Sequence, residues 1–323
     1  MKTFSLVVPV YFSGENLPDT IPQLLELGSK IPGYRLELVF VDDGSGDDSL
    51  DLLLKYQTQN PEHIKIVKLT RNFGSMAAIQ AGLAVASGDC VGMISADLQD
   101  PPELFLEMLG YWEKGLTKAV FAVRQDREEH PIQKFFSNRY YSLIRQFALE
   151  GYPNGGFDFF LIDRQIVNDL NHIQEKNINL MTLIYWLGYK PVMIPYIRRQ
   201  RTKGKSRWTL SKKIKLFVDT FVAFSFFPIR ILSLIGLIVA LGSFLYGAFV
   251  LFYWFFYGIE VRGWVPTIVV LSFTSGIQMA MLGVLGEYLW RTLDEIRNRP
   301  PFVIDTIYEN SHSENKIRSE EMK

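Results

Sequence analysis

Two stretches near the carboxyl end, Ile231–Ile259 and Gly263–Gly286, carry no charged side chain and are separated by only three residues. Each exceeds the roughly 20 residues a helix needs to cross the hydrocarbon core of a bilayer. The linker, Gly258–Arg262, has one acid and one base. Both outer flanks are basic, with Lys212, Lys213, Lys215 and Arg230 before the pair and Arg291, Arg297 and Arg299 after it. The positive-inside rule puts both flanks in the cytoplasm, making residues 229–290 a two-helix transmembrane hairpin. Spans this poor in ionisable groups argue against an ion pathway within one hairpin. In Thr209–Phe227, lysines are followed by Leu216, Phe217, Val218, Phe221, Val222 and Phe224. That pattern predicts a juxtamembrane amphipathic helix, 209–228, lying in the interface.

The rest of the chain reads differently. Apolar, β-rich runs recur at Phe4–Val10, Leu36–Val41, Ile64–Leu69, Cys90–Ser95 and Ala119–Val123. Helix-like stretches lie between them, near Leu17–Ile31, Ser49–Gln57, Gly74–Ala86 and Pro101–Lys114. Alternation of this kind predicts an α/β domain with a doubly wound, mostly parallel sheet over residues 1–208. The chain opens directly on a strand-like run, so no cleavable signal peptide is expected and the domain is placed in the cytoplasm. Residues 291–323 are expected to form a cytoplasmic C-terminal segment, its polar end Asn310–Lys323 disordered. The 34 basic and 34 acidic residues balance, giving no ground for a nucleic-acid partner. Cys90, the single cysteine, reads as a small buried hydrophobe.

Ligands of such sheets bind beyond the carboxyl ends of the strands, and the polar signals fall there. The fourth run exits into Ser95-Ala96-Asp97-Leu98-Gln99-Asp100-Pro101-Pro102-Glu103. If the strand continues, Ser95, Asp97 and Gln99 share one face at alternate positions. They would then aim three hard oxygens at one point, suited to Mg²⁺ or Mn²⁺ shared with substrate phosphates. Asp100, the two prolines and Glu103 read as N-cap, helix start and capping-box acid. The first strand exits into Pro9, Val10, Tyr11, then Glu15, where an aromatic ring and an acid either hold a nucleobase or form a solvated loop. The second exits into Asp42-Asp43-Gly44-Ser45-Gly46-Asp47-Asp48, which lacks the glycine pattern of a dinucleotide cradle. Acids there suit ribose hydroxyls or a base N–H, with Ser45 and Asp47 as turn and cap residues. Lys68, Arg71 and Asn72 fit either phosphate contact or a solvated turn. Arg124 and Arg139 are the leading candidates for a second anion among several arginines. Asp158 lies among aromatics, and Arg198–Trp208 is densely basic, fitting a pyrophosphate clasp or lipid headgroup attraction. Its GKS is no P-loop, since Arg199 stands where the glycine is required.

Taken together, VVPVY (7–11), VDDGSGD (41–47), RNFGSMAAIQAGL (71–83), ADLQDPPE (96–103), FDFFLIDR (157–164), RTKGKSRW (201–208) and LGEYLWRTLDEIRNRPPFVI (285–304) resemble the polyprenyl-phosphate glycosyltransferases. The likeness is to enzymes akin to dolichyl-phosphate mannose synthase, and within them to the bacterial two-span branch that glucosylates undecaprenyl phosphate. The resemblance implies a GT-A fold and inverting transfer from a nucleotide sugar, UDP-glucose in that branch, to a polyprenyl phosphate. It also implies a homotetramer. Carried over position by position, it gives Pro9, Tyr11, Glu15 and Asp42 to the nucleoside, and Asp97 and Gln99 to the metal and diphosphate. Arg124 and Arg139 fall to the lipid phosphate, Arg201 to the donor and Asp158 to the sugar's side. Relatives often carry aspartate where this chain has Ser95, and the weaker hydroxyl leaves contact with the metal through water, or none. Two other readings remain open on the sequence. A processive polysaccharide synthase would need a longer bundle of spans, and a membrane-anchored scaffold that binds nucleotide sugar without turnover would form no product.

Overall fold

The computed structural model describes residues 1–125, 139–146, 148–173, 175, 179–199, 227–257 and 263–309. Its strands are β1 (Lys2–Val10), β2 (Tyr34–Asp42), β3 (Ile64–Leu69), β4 (Cys90–Met93), β5 (Ala119–Arg124), β6 (Phe157–Asp163), β7 (Val192–Tyr196) and β8 (Ile304–Tyr308). Helices intervene as α1 (Leu17–Ser29), α2 (Ser49–Gln59), α3 (Ser75–Val85), α4 (Leu104–Glu113), α5 (Arg164–Asn171) and α6 (Leu180–Trp186). The strands form one sheet in the order β7-β5-β6-β4-β1-β2-β3-β8. β1, β2, β3 and β4 run parallel, as do β5 and β7, while β6 and β8 are antiparallel to their neighbours. The expected doubly wound, mostly parallel sheet is therefore present.

Helices on both faces explain why β1 and β2 read as continuous apolar runs rather than alternating ones. One face carries Phe4, Phe40, Phe105 and Phe159 in a single apolar cluster, with Phe105 bridging Phe4 at 5.1 Å and Phe159 at 4.5 Å between ring centroids. The other face packs Val7, Val39 and Val41 against the small side chains of α3. Gly82 permits that approach: a Cβ there would lie 2.3 Å from Val7 Cγ1. Close helix packing thus falls at Gly82, whereas Gly74, at the start of α3, is required for its φ of 100°. Cys90 is fully buried in the first cluster, and burial pushes its thiol pKa far up.

Two long helices follow, α7 (Phe227–Tyr257) and α8 (Trp264–Ile296). Both are long and apolar enough to cross a membrane, over Ile229–Phe249 and Val269–Ile296 with mean hydropathies of 2.2 and 1.7. The amphipathic helix expected at 209–228 falls outside the described residues up to Phe226, as do the linker and the tail from Asn310. The segment after the spans does not stay apart from the domain at 1–208. Its β8 pairs with β3, matching Ile66 with Tyr308 and Lys68 with Thr306, and the Thr70 N–H donates to Val303 O at 3.1 Å.

Two local expectations are corrected. β4 stops at Met93, so Ser95, Asp97 and Gln99 do not share a strand face. After Met93 the chain turns, and Leu98 adopts a φ of 49°. Helix α4 starts at Leu104 rather than Pro101, with Glu103 in the N-cap position and making no side-chain cap bond. Asp100 lies three residues before that position and has partners distant in sequence, Tyr196 and Arg198.

Candidate active site at the carboxyl edge of the sheet

β1, β2, β3, β4 and β5 all end at one edge, and β6, running backward, begins there. The β1 and β2 exits are stitched together. The Asp43 N–H donates to Val10 O at 2.9 Å, Phe12 N–H to Ser45 Oγ at 3.1 Å, Ser13 N–H to Ser49 Oγ at 2.9 Å and Gly14 N–H to Asp47 Oδ2 at 3.2 Å. Ser45 and Asp47 are thus turn residues, as their type suggested, and Asp47 Oδ1 also accepts from the Ser49 N–H at 3.3 Å at the start of α2, whose N-cap position, Asp48, makes no side-chain cap bond. Tyr11 and Glu15 are exposed on this rim, Pro9 is half-buried beneath it, and the Tyr11 ring meets Phe12 edge-on at 4.7 Å.

Asp42 and Asp43 are both buried, but their surroundings separate them. The Asp43 carboxylate accepts from the Phe73 and Gly74 N–H groups at 2.7 and 2.9 Å. It therefore fixes the turn after β3. Asp42 accepts from the Ser45 N–H at 3.3 Å. Burial raises the pKa of both, against these hydrogen bonds. Of the basic residues at the end of β3 and beyond it, Lys68 pairs with Asp305 at 2.6 Å and Arg71 stacks over Phe73 at 4.2 Å.

The turn after β4 brings the Ser95 hydroxyl and the Gln99 backbone to Asp97, by a route the strand alternation did not foresee. Ser95 Oγ donates to Asp97 Oδ1 at 2.7 Å, and the Gln99 N–H approaches the same oxygen at 3.4 Å. Ser95 therefore orients the Asp97 carboxylate. From below, the buried Thr20 hydroxyl of α1 holds Ala96 O at 2.8 Å. Among the described residues no three His, Cys, Asp or Glu side chains cluster as a metal site. One carboxylate with neutral oxygens is what Mg²⁺ or Mn²⁺ needs when substrate phosphates complete its shell, so Asp97 and Gln99 fit such an ion.

Two strands away, Arg124 ends β5, half-buried, in register with Tyr196 at the end of β7, whose hydroxyl its charge reaches. Between them begins β6. Ala122 pairs with Phe159 and Val123 with Phe157, so Asp158 is the extra residue of a β-bulge. Bulges re-aim a residue at a sheet's edge, and this one falls beside the end of β5. Arg139 is exposed at the start of the helical residues 139–146. Arg201 lies outside the described residues, two positions beyond Arg199, whose N–H donates to Gln99 O at 2.8 Å.

The sequence reading missed the partners of Asp100. That carboxylate is 1% exposed. It accepts from the Tyr196 hydroxyl at 2.5 Å and lies 3.3 Å from Arg198 Nε. Glu103, next along, pairs with Arg199 at 3.1 Å.

Residues 5–170 match the family model described as glycosyl transferase family 2. The chain belongs to that family. This glycosyltransferase is 34% identical over 301 residues to the SfII prophage-derived bactoprenol glucosyl transferase of Shigella flexneri, covering 93% of this chain and 96% of that one. It is 33% identical over 324 residues to an undecaprenyl-phosphate 4-deoxy-4-formamido-L-arabinose transferase of Pectobacterium atrosepticum, covering 99% and 98%. Among solved structures it is similar to the mannosyltransferase PcManGT of Pyrobaculum calidifontis in complex with GDP-Man and Mn²⁺, at 17% identity over 68% of this chain and 63% of that one, with a TM-score of 0.47. The glycosyltransferase fold is GT-A-like, a mixed, mostly parallel sheet carrying its polar residues at one edge.

Proposed function

We propose that this glycosyltransferase moves a sugar, with inversion, from a nucleoside-diphosphate sugar to a polyprenyl phosphate at the cytoplasmic face of a membrane. The observation that carries the reading is one placement. The Asp97 turn after β4 and Arg124 at the end of β5 flank β6 at one sheet edge, in a chain whose two membrane-length helices return to the same sheet. Neighbouring strands are about 4.8 Å apart, so the ends of β4 and β5, with β6 between them, stand roughly 10 Å from one another, room for a sugar. The names of both relatives support a polyprenyl acceptor and differ in the sugar, so glucose from UDP-glucose rests on the family branch alone.

In this reading Pro9, Tyr11, Glu15 and Asp42 receive the nucleoside at the β1 and β2 exits. Asp97 and Gln99 would hold Mg²⁺ or Mn²⁺, which supplies positive charge to the departing diphosphate. Arg201 adds to that charge from the chain that leaves Arg199. Arg124 and Arg139 hold the acceptor phosphate. An acceptor oxygen attacks the anomeric carbon from the face opposite the nucleoside diphosphate. The bond to the nucleoside diphosphate breaks as the new one forms, and the diphosphate leaves with its electron pair. A phosphate monoester's second pKa is about 6, so the nucleophile is already largely ionised at neutral pH. No strong base is needed, and Asp158 orients the sugar or acceptor. Placement of the acceptor supplies the rest of the rate.

Membrane topology has its own support. β3 precedes both long helices and β8 follows both, so two crossings leave the sheet on one side with both helix flanks. The test of the reading is a screen of UDP- and GDP-sugars with undecaprenyl phosphate, read by product mass. A single sugar–phosphate–polyprenyl product is expected; donor binding without product from any pairing would leave a non-catalytic scaffold. Cross-linking in native membranes addresses the homotetramer that the resemblance implies.

A further inference from the structure

Asp100, Tyr196 and Arg198 lie in none of the roles just assigned, yet they hold the two halves of the site together. Asp100 follows Gln99 directly and is almost wholly buried, as is Tyr196 at 5% exposure. A buried carboxylate is costly unless hydrogen-bonded and paired, and Asp100 has both kinds of partner: the Tyr196 hydroxyl at 2.5 Å and the Arg198 guanidinium at 3.3 Å. Burial, and then the Asp100 charge, drive the Tyr196 pKa far upward. The hydroxyl keeps its proton and donates it to Asp100, which leaves its oxygen lone pairs open to Arg124, its register partner on β5. The result is one relay, Arg124 to Tyr196 to Asp100 to Arg198, with two cations around one anion.

Backbone bonds lock the same junction. The Arg199 N–H donates to Gln99 O at 2.8 Å, the Gln125 N–H to Tyr196 O at 2.9 Å, and Gln99 Nε2 reaches back to Arg199 O at 3.4 Å. An apolar pair could fill the space under this turn. It could not fix the direction of a guanidinium, which needs an acceptor in the plane of its fork.

We infer that Tyr196 and Asp100 are positioning residues for acceptor use: Tyr196, anchored by Asp100, sets the Arg124 guanidinium where it meets the acceptor phosphate. The inference rests on the proposed acceptor role of Arg124. It adds a residue from β7 and one from the metal turn to a contact otherwise read as a lone arginine.

The test is a double-mutant cycle of Tyr196→Phe and Arg124→Ala in the full chain, reconstituted in lipid nanodiscs. Acceptor KM, donor KM and kcat are measured with undecaprenyl phosphate and the donor identified by the screen; should no lipid product form from any pairing, the proposed function fails first and the inference falls with it. Tyr196→Phe removes one hydroxyl and keeps the ring in its core. We expect it to raise acceptor KM on the order of tenfold, as loss of a hydrogen bond to a charged group does. Donor KM stays within about twofold, because coupling at separated sites is small. In the Arg124→Ala background the same change should add almost nothing. Additive losses, or equal losses in donor and acceptor KM, overturn the inference and make Tyr196 a structural residue. If Arg124→Ala leaves acceptor KM unaltered, the acceptor role of Arg124 fails first, whatever Tyr196 does. Asp100→Asn, which keeps the shape and loses the charge, should reproduce the Tyr196→Phe profile; a normal acceptor KM with a lowered melting temperature would remove Asp100 from the relay.

Discussion

Lys68 and Asp305 meet at 2.6 Å although 237 residues separate them in the chain. Lys68 belongs to β3 and Asp305 to β8, so the contact marks where the segment beyond the two long helices rejoins the catalytic sheet. The pair itself is more than a third exposed on both sides, and such pairs contribute little. What the strand brings is apolar contact: Phe302 and Ile304 pack on one core cluster and Tyr308 on the other. Asp305→Ala should therefore change stability by less than about 1 kcal/mol. A chain ended after Pro301 should lose several degrees in melting temperature, because it uncovers those contacts and the β3 edge. Thermal unfolding followed by tryptophan fluorescence in detergent compares the two; equal melting temperatures for the truncated and full chains would make β8 dispensable.

The Asp97 turn sets a second expectation. Asp97→Asn should lower transfer on the order of 100-fold or more, since the leaving diphosphate loses its charge partner. Ser95→Ala should cost about tenfold in apparent metal affinity, the usual effect of removing a group that orients a ligand. Metal titration of product formation separates these outcomes, and undiminished turnover in chelator would remove the cation from the proposal.

A third expectation concerns the opposite edge of the sheet. Glu37 is buried, which alone would raise its pKa. Hydrogen bonds from Ser5, the Ser87 N–H and the Ser87 hydroxyl, together with Lys65 at 3.2 Å, outweigh burial and bring it below the usual carboxylate range. A carboxylate whose folded pKa is depressed stabilises the fold above its unfolded pKa, about 4.3. That stability is lost as pH falls through the lower folded value. Glu37→Gln should thus destabilise by about 1–3 kcal/mol at neutral pH, with the gap to wild type closing below about pH 4. Denaturant titrations at both pH values provide the measurement; a gap independent of pH would show that the charge of Glu37 contributes nothing.

These residues also show what the chain's local patterns could and could not carry. The runs at β1, β2 and β3 were legible because buried parallel strands are apolar throughout, and the acids after them marked the ligand edge. The alternation of Ser95, Asp97 and Gln99 ends with β4 at Met93; Ser95 and the Gln99 N–H meet Asp97 instead through a turn with Leu98 in the left-handed region, which residue order does not announce. Asp100 looked like a helix cap because two prolines and a glutamate follow it. Its partners Tyr196 and Arg198 are nearly a hundred residues away, and no local pattern encodes such a contact. Asp158 was found through its aromatic neighbours, but its place as a bulge depends on how β6 registers against β5. β7 and β8 are five-residue strands, too short to be distinguished from loop by periodicity.

The last expectation separates the two arginines offered to the acceptor. Arg124 is half-buried and fixed by Tyr196, whereas Arg139 is exposed at the start of a helical stretch. Exposed basic residues near a bilayer have an alternative use, since anionic headgroups attract any positive charge about equally. A phosphate gripped by a guanidinium differs, because the planar fork bonds two oxygens at once and an ammonium cannot. Arg139→Ala should then bind nucleotide diphosphate normally in calorimetry while needing on the order of 10- to 100-fold more polyprenyl phosphate for the same rate. Arg139→Lys decides between grip and attraction. Acceptor dependence close to that of the alanine variant supports a bidentate contact. Acceptor dependence equal to wild type assigns Arg139 to headgroup attraction and leaves Arg124, held from behind by Tyr196, as the arginine that meets the acceptor.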